Sequence, residues 1–333
     1  MTDPDSLHRS LLTFDTHIDI PWPDGPAFTD DTSRRVDLPK MRRGHLAGAC
    51  FAAYVPQGPR TEAAHRSAVE RTTAMLVAIG AMGGAAARLC TTADAIEQAH
   101  RDGITAIVPA VENGHACGGD VGRLRGLHDL GACYLTLTHN GHNALADSAN
   151  PRADLGDATA EHGGLSPLGR QAIAELNRLG MLVDIAHSSK ATMLQAALLS
   201  RSPVVSTHSC IRALCDHPRN LDDEQLDALS DVGGVIQITA VPSFLRAGAR
   251  EAEVSVADYA NHIDYAVRRI GIEHVGISSD FDGGGGFVGF HDAGDCANIT
   301  AELMRRGYGP SELARLWGGN FLRVLRLAER RAN

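Results

Sequence analysis

S-P-L-G-R-Q-A-I-A-E-L-N-R-L-G-M-L-V-D-I-A-H-S-S, residues 166–189, decides the fold. Ser166 stands at an N-cap position, 166–179 carries a helical pattern, and M-L-V-D-I-A at 181–186 is an apolar β-type run. His187 follows that run directly, and a second helical pattern occupies 189–199. The same unit recurs in both directions from here. Candidate strands at 11–18, 48–55, 104–111, 132–138, 203–207, 234–239 and 274–279 join 181–186 to make eight. Helix-like segments at 61–82, 222–231 and 255–270 lie between them, with Ser255 and either Asp222 or Asp223 at cap positions. The alanine-rich stretch 77–88 also reads as helix. Continuous apolar strands separated by helices build a parallel sheet buried on both faces. Eight such units predict an α/β fold, a (β/α)8 TIM-type barrel, over 1–333 as one domain with a C-terminal helical extension at about 294–331. A doubly wound sheet is the rival topology. No G-x-G-x-x-G follows the first strand, which weakens a dinucleotide-binding reading.

The 333 residues include 31 Lys and Arg against 40 Asp and Glu, a net charge of −9. Nucleic acid and anionic membranes need clustered positive charge, so neither is an expected partner. Seven widely spaced cysteines form no C-x-x-C pair and read as small buried hydrophobes. The opening MTDPDSLHRS has no apolar leader core, and no run approaches the roughly 20 apolar residues of a membrane span. The closing VLRLAERRAN carries no lipid-anchor signal, so a cytoplasmic protein is expected. Histidine is abundant at 16 residues, as metal ligands or as polar filler.

The strand ends bear on that choice. The first polar residues past the candidate strands are His17 and Asp19, Glu112, His139, His187, His208 and Asp280. A barrel gathers all these ends at the rim where its active site lies. A lone histidine in an apolar run is more often a hydrogen-bonded core residue. His17 and Asp19, however, alternate on one strand and share a face. Glu112 follows an apolar run where an unpaired carboxylate would be costly. Asp280 and Asp282 sit in a glycine-rich turn, where aspartate also serves local hydrogen bonding. As a set, imidazoles plus carboxylates suit Zn²⁺ or a similar ion. His45, His65, His100, His128, His217 and His262 lie in helical or loop contexts and read as surface or helix-face residues. His115 and His142 are candidates to support the ligands from behind.

These residues carry a resemblance. F-D-T-H-I-D (14–19), V-E-N-G-H (111–115), Y-L-T-L-T-H-N (134–140), G-L-S-P-L-G (164–169) and P-V-V-S-T-H-S (203–209) match the renal (membrane) dipeptidase family. L-N-R-L-G-M-L-V-D-I-A-H-S (176–188), R-N-L (219–221), H-V-G-I-S-S-D-F-D-G (274–283) and G-G-N-F-L-R-V (318–324) match it too. The chain thus resembles binuclear zinc metallopeptidases of the amidohydrolase superfamily over nearly its whole length. The resemblance implies two Zn²⁺ ions. His17 and Asp19 would hold one, His187 and His208 the other, with Glu112 and a water or hydroxide bridging both. It also implies that His139 polarises the scissile carbonyl, that Arg219 clamps the substrate's carboxylate, and that Asp280 moves a proton from the bridging water to the leaving amine.

The implied activity is hydrolysis of small dipeptides, including L-Xaa-D-Xaa. A related amidohydrolase acting on another amide, a lactam or an ester is the alternative. A silent metal-binding protein is a third reading, against which the presence of both Asp280 and His139 argues. The family often has Glu-Gly-Gly-His where this chain has Glu112-Asn113-Gly114-His115, and Trp where it has Leu145. Tyr54, Asn113, Leu145 and the loop G-G-G-G-F-V-G-F-H (283–291) either shape the side-chain pocket, Tyr54 by touching substrate, or only pack locally. That glycine run reads as a mobile loop, since no P-loop lysine follows it. A homodimer is the default assembly.

Overall fold

The computed structural model describes residues 3–20 and 25–332. Its strands are β1 (Phe14–Asp19), β2 (Gly48–Tyr54), β3 (Ala87–Leu89), β4 (Thr105–Glu112), β5 (Tyr134–Thr136), β6 (Leu182–Asp184), β7 (Val205–Ser209), β8 (Val235–Ile238) and β9 (Val275–Ile277). Eight run in parallel in the order β1-β2-β4-β5-β6-β7-β8-β9, and β3 pairs beside β4. The ring closes just past β9, where Ile18 bridges Phe281 in parallel. There the Asp19 N–H donates to the Phe281 carbonyl at 3.0 Å, and the Asp280 N–H to the His17 carbonyl at 3.1 Å. The fold is a (β/α)8 barrel, and each of the eight expected strands is present.

Capping chemistry places the helices. Ser166 accepts from the Gly169 N–H ahead of helix Pro167–Leu179, and Ser255 from Asp258 ahead of Val256–Ile270. Asp222, rather than Asp223, caps Asp223–Asp231, with Gln225 completing a capping box. The helix expected over 77–88 holds only as far as Ala81. Helix Glu62–Ala81 stops, and the chain turns into β3. The alanines favour helix, but Gly83 and Gly84 each cost about 1 kcal/mol within one. The Gly84 N–H instead closes a turn onto the Ala87 carbonyl at 2.8 Å.

The two ends of the barrel differ. At the N-terminal end Phe14, Val108, Leu182, Val205 and Val235 pack with Phe321 and Leu325 of helix Asn320–Arg331. Phe14 and Phe321 stack with ring centroids 5.4 Å apart. This plug is apolar, as expected where a barrel carries stability rather than chemistry. All seven cysteines are free and buried. Among the described residues no helix is long and apolar enough to cross a membrane. The C-terminal end carries the polar strand ends.

Candidate metal centre and active site

Glu112, the last residue of β4, is 3% exposed and forms the hub of this rim. Its Oε1 lies 3.1 Å from His187 Nε2, 3.4 Å from His208 Nε2, 3.6 Å from His17 Nε2 and 3.9 Å from His139 Nε2. Asp19 Oδ1 lies 3.9 Å from His17 Nε2. Two groups have ligand atoms within 4.8 Å of one another: His17, Glu112 and His208, and Glu112, His139 and His187. Glu112 is common to both. The resemblance pairs His187 with His208; their rings are 5.0 Å apart, whereas His17 and His208 are at 3.9 Å.

The donor set fits a cation. His17 Nε2, Asp19 Oδ1 and His208 Nε2 are all buried without a hydrogen-bond partner, and His187 turns its Nε2 to the same carboxylate. A buried polar atom left unpaired costs about 1–3 kcal/mol, so three gathered beside one carboxylate call for a shared partner. Charge gives the same answer. Burial is the largest influence on His17 and opposes its charging, yet Glu112, Asp19 and Asp280 overcome it and push the pKa up to about 10. The carboxylates thus demand a positive charge beside that ring, a proton or a metal ion. Burial also disfavours the ionised form of Glu112, but the imidazoles around it hold it well below the usual carboxylate range. Burial keeps His187 and His208 neutral, helped by Arg219, as nitrogen ligands require.

Backbone geometry aims the rim. His187, Asp280 and Asp282 sit at φ values of 62°, 62° and 63°, and Asn113 at 87°. Non-glycine residues rarely adopt this region, and such outliers collect at functional sites. Gly283 is required by contact rather than by φ: a Cβ there would lie 2.3 Å from Asp280 Oδ1 and 2.5 Å from Asp19 Oδ2.

A cleft of about 330 Å³ opens over the hub, lined by Asp19, Glu112, His139, His187, Arg219 and Asp280. Burial, with Glu112 adding and His17 and Arg219 opposing, lifts the Asp280 carboxyl to about 7. Burial lowers the pKa of His139, whose ring lies 4.7 Å from that of Tyr54. Burial, reinforced by Glu112 and Asp19, raises the Tyr54 phenol to about 12. Arg219 is 3% exposed; burial brings it down to about 10, which leaves it charged at neutral pH. Its Nη2 donates to the His208 carbonyl at 3.2 Å, its Cζ lies 5.4 Å from the Phe244 ring centre, and its Nε is unpaired.

The sequence profile of the membrane dipeptidase family, peptidase family M19, matches residues 1–333. The chain belongs to this family. It is 34% identical over 304 residues to dipeptidase aclJ of Aspergillus oryzae, covering 89% of this chain and 70% of that protein. It is 32% identical to dipeptidase tcpJ of Claviceps purpurea, covering 98% and 76%. Among solved structures, the probable dipeptidase PvdM from Pseudomonas aeruginosa superposes with a TM-score of 0.92 at 31% identity, covering 99% and 98% of the two chains. A metallopeptidase from Rhodobacter sphaeroides, liganded with a phosphinate mimic of the dipeptide L-Ala-D-Ala, gives 0.81 at 27% identity, covering 96% and 99%.

Several residues of this M19 family member stand elsewhere than the sequence suggests. His217, expected at the surface, lines the cleft with Asn140, Asn150 and Phe244. Its ring lies 4.4 Å from Phe244, and its Nδ1 accepts from the Arg219 N–H at 3.2 Å. His262 is 1% exposed, accepts from the Ile211 N–H and donates to the Leu245 carbonyl. Asn113 and Leu145 are fully buried below the cleft. Asn113 ties Val55 to the His115 N–H, and the Leu145 side chain stands 2.5 Å from where a Gly114 Cβ would project. The 283–291 segment is pinned: buried Phe287 and Phe290 pack on Tyr259 and Phe281. His142 accepts from Ser148 N–H and donates to the Ala158 carbonyl, fixing the loop that follows β5.

Proposed function

We propose that this family member is a zinc dipeptidase that accepts small dipeptides, including L-Xaa-D-Xaa. The observation that carries the reading is the set of unpaired ligand atoms around Glu112, open to a cleft that also holds His139, Arg219 and Asp280. The L-Ala-D-Ala mimic bound to the Rhodobacter sphaeroides relative supports acceptance of a D-residue at the C-terminal position. His17 and Asp19 would hold one ion and His187 and His208 the other, with Glu112 shared. Two divalent ions in such a donor set supply Lewis acidity and an acidified water.

The chain's own residues do the rest. Arg219, buried and charged, pairs with the substrate's terminal carboxylate and fixes the scissile bond over the hub. His139, neutral, donates a hydrogen bond to the carbonyl oxygen as it gains negative charge. Asp280, with its pKa near 7, takes the proton that the attacking water sheds and returns it to the leaving amine nitrogen. Tyr54, against His139, borders the substrate.

The test is a dipeptide panel with L- and D-residues at the C-terminal position, run on metal-stripped and zinc-reconstituted protein. Hydrolysis restored by two equivalents of Zn²⁺, with L-Ala-D-Ala among the substrates, is expected. Activity indifferent to chelators, or confined to lactams or esters, would overturn the reading.

A further inference from the structure

An imidazole has two nitrogens, and only one of them can face the centre. Beneath His17 lies Tyr134, fully buried inside the barrel. Its Oη is 3.0 Å from the Thr16 carbonyl and 2.8 Å from His17 Nδ1. A phenol has one proton and a carbonyl only accepts, so Tyr134 donates to Thr16 and receives the His17 Nδ1–H. Nε2 is therefore the position that exchanges a proton for another cation.

His208 is held by the same logic from another wall. Thr207 Oγ1 lies 2.9 Å from His208 Nδ1 and 2.8 Å from Asp184 Oδ2. Asp184 already receives the Thr136 hydroxyl at 2.6 Å, the Thr207 N–H at 3.0 Å and the Ala186 N–H at 3.1 Å. A carboxylate so surrounded accepts. Thr207 gives it a proton and receives the His208 Nδ1–H. His187 has no such backing: its Nδ1 is unpaired and its backbone at φ 62° does the aiming.

We infer that Tyr134 and Thr207, the latter backed by Asp184, are positioning residues that commit His17 and His208 to metal coordination through Nε2. The inference rests on the proposal that these histidines hold ions. The two backings are unequal. The phenol leans on a neutral carbonyl, whereas the threonine hydroxyl is polarised by a carboxylate, which makes His208 the more electron-rich ligand.

The experiment compares Tyr134→Phe, Thr207→Val and Thr207→Ser with the wild type. Zn²⁺ affinity is measured by chelator competition, and the imidazole N–H protons of the zinc-loaded, ¹⁵N-histidine-labelled proteins by NMR. Tyr134→Phe and Thr207→Val should each bind about 10- to 100-fold more weakly, Thr207→Val the more so, and each should lose one protected Nδ1–H signal. Thr207→Ser should restore both readouts. Should Thr207→Val fail to fold, Tyr134→Phe, which deletes one oxygen, carries the test. Variants that bind zinc as tightly as the wild type, with the Nδ1–H signals in place, would overturn the inference alone. Wild-type protein that takes up no divalent ion would overturn the parent reading and this one with it.

Discussion

The same strands end in two different chemistries. On β1, Phe14 stacks on Phe321 in the apolar plug, while three residues later His17 presents an unpaired nitrogen to the hub. On β4, Val108 belongs to the plug and Glu112 to the centre. The plug has its polar groups elsewhere and its side chains interlocked. The rim keeps buried donors unpaired and backbone angles in a costly region. The difference teaches that one end supplies the free energy that the other end stores as unpaired polar atoms and strain. Changes at the plug should therefore lower stability and spare turnover, and changes at the rim should do the reverse.

The sharpest break of that contrast is Glu112→Gln. Turnover should fall by about 10⁴-fold and bound metal should drop below the wild-type stoichiometry, with thermal stability of the metal-free protein little changed. Activity assays, elemental analysis and calorimetry check it together. Phe321→Ala is the mirror experiment: a loss of about 3–5 kcal/mol in denaturant unfolding, with kcat per folded molecule unchanged. A large fall in kcat there would mean that the two ends are coupled.

His262 tests the scaffold under the rim. Burial lowers its pKa to about 4, against the carbonyl bond to Leu245, which raises it. The unfolded chain binds a proton below about 6.5 and the folded chain does not, so stability is lost as pH falls from about 6.5 towards 4. This one group contributes up to about 3 kcal/mol to that loss. In His262→Gln the loss over that window should be correspondingly smaller in pH-dependent urea melts. Equal slopes would show that the ring is protonated in the folded state.

Gly283→Ala is the finest cut. Its Cβ would crowd the carboxylates of Asp19 and Asp280, so kcat should fall by about 10²-fold while the melting temperature stays near the wild-type value. Kinetics at the wild-type level would show that the loop yields and the carboxylates keep their places.

What was legible in sequence follows from what is local. The β-type runs and the polar residue ending each one are neighbours in the chain, so the barrel and the identity of the rim residues could be read directly. Gly83 and Gly84 are local too, but an alanine-rich context masked them. Tyr134 reads as one more apolar strand residue because nothing nearby reveals where its hydroxyl ends. Asp184 and Thr207 lie on different strands, and their shared hydrogen bond exists only once β6 and β7 are adjacent. His217 is hidden for the opposite reason: a loop position suggests solvent, while its ring is placed against Phe244 from a distant segment and accepts the Arg219 backbone N–H. For Asn113 the sequence leaves pocket shaping and local packing equally open, and only the fold shows its amide spent on Val55 and His115.

The barrel closes through the Ile18–Phe281 bridge, and the seam runs through the candidate centre: Asp19 stands on one side and Asp280 on the other. Such a long-range pairing is among the last contacts a chain can make. During synthesis, a ribosome-bound fragment would carry Glu112 and most of the histidines long before residue 280 emerges. On the proposed reading, it would carry most of the candidate ligands without the residue proposed to move the proton. On the proposed reading, topology would time the chemistry, because the residue proposed to move the proton joins the candidate ligands only when this seam closes.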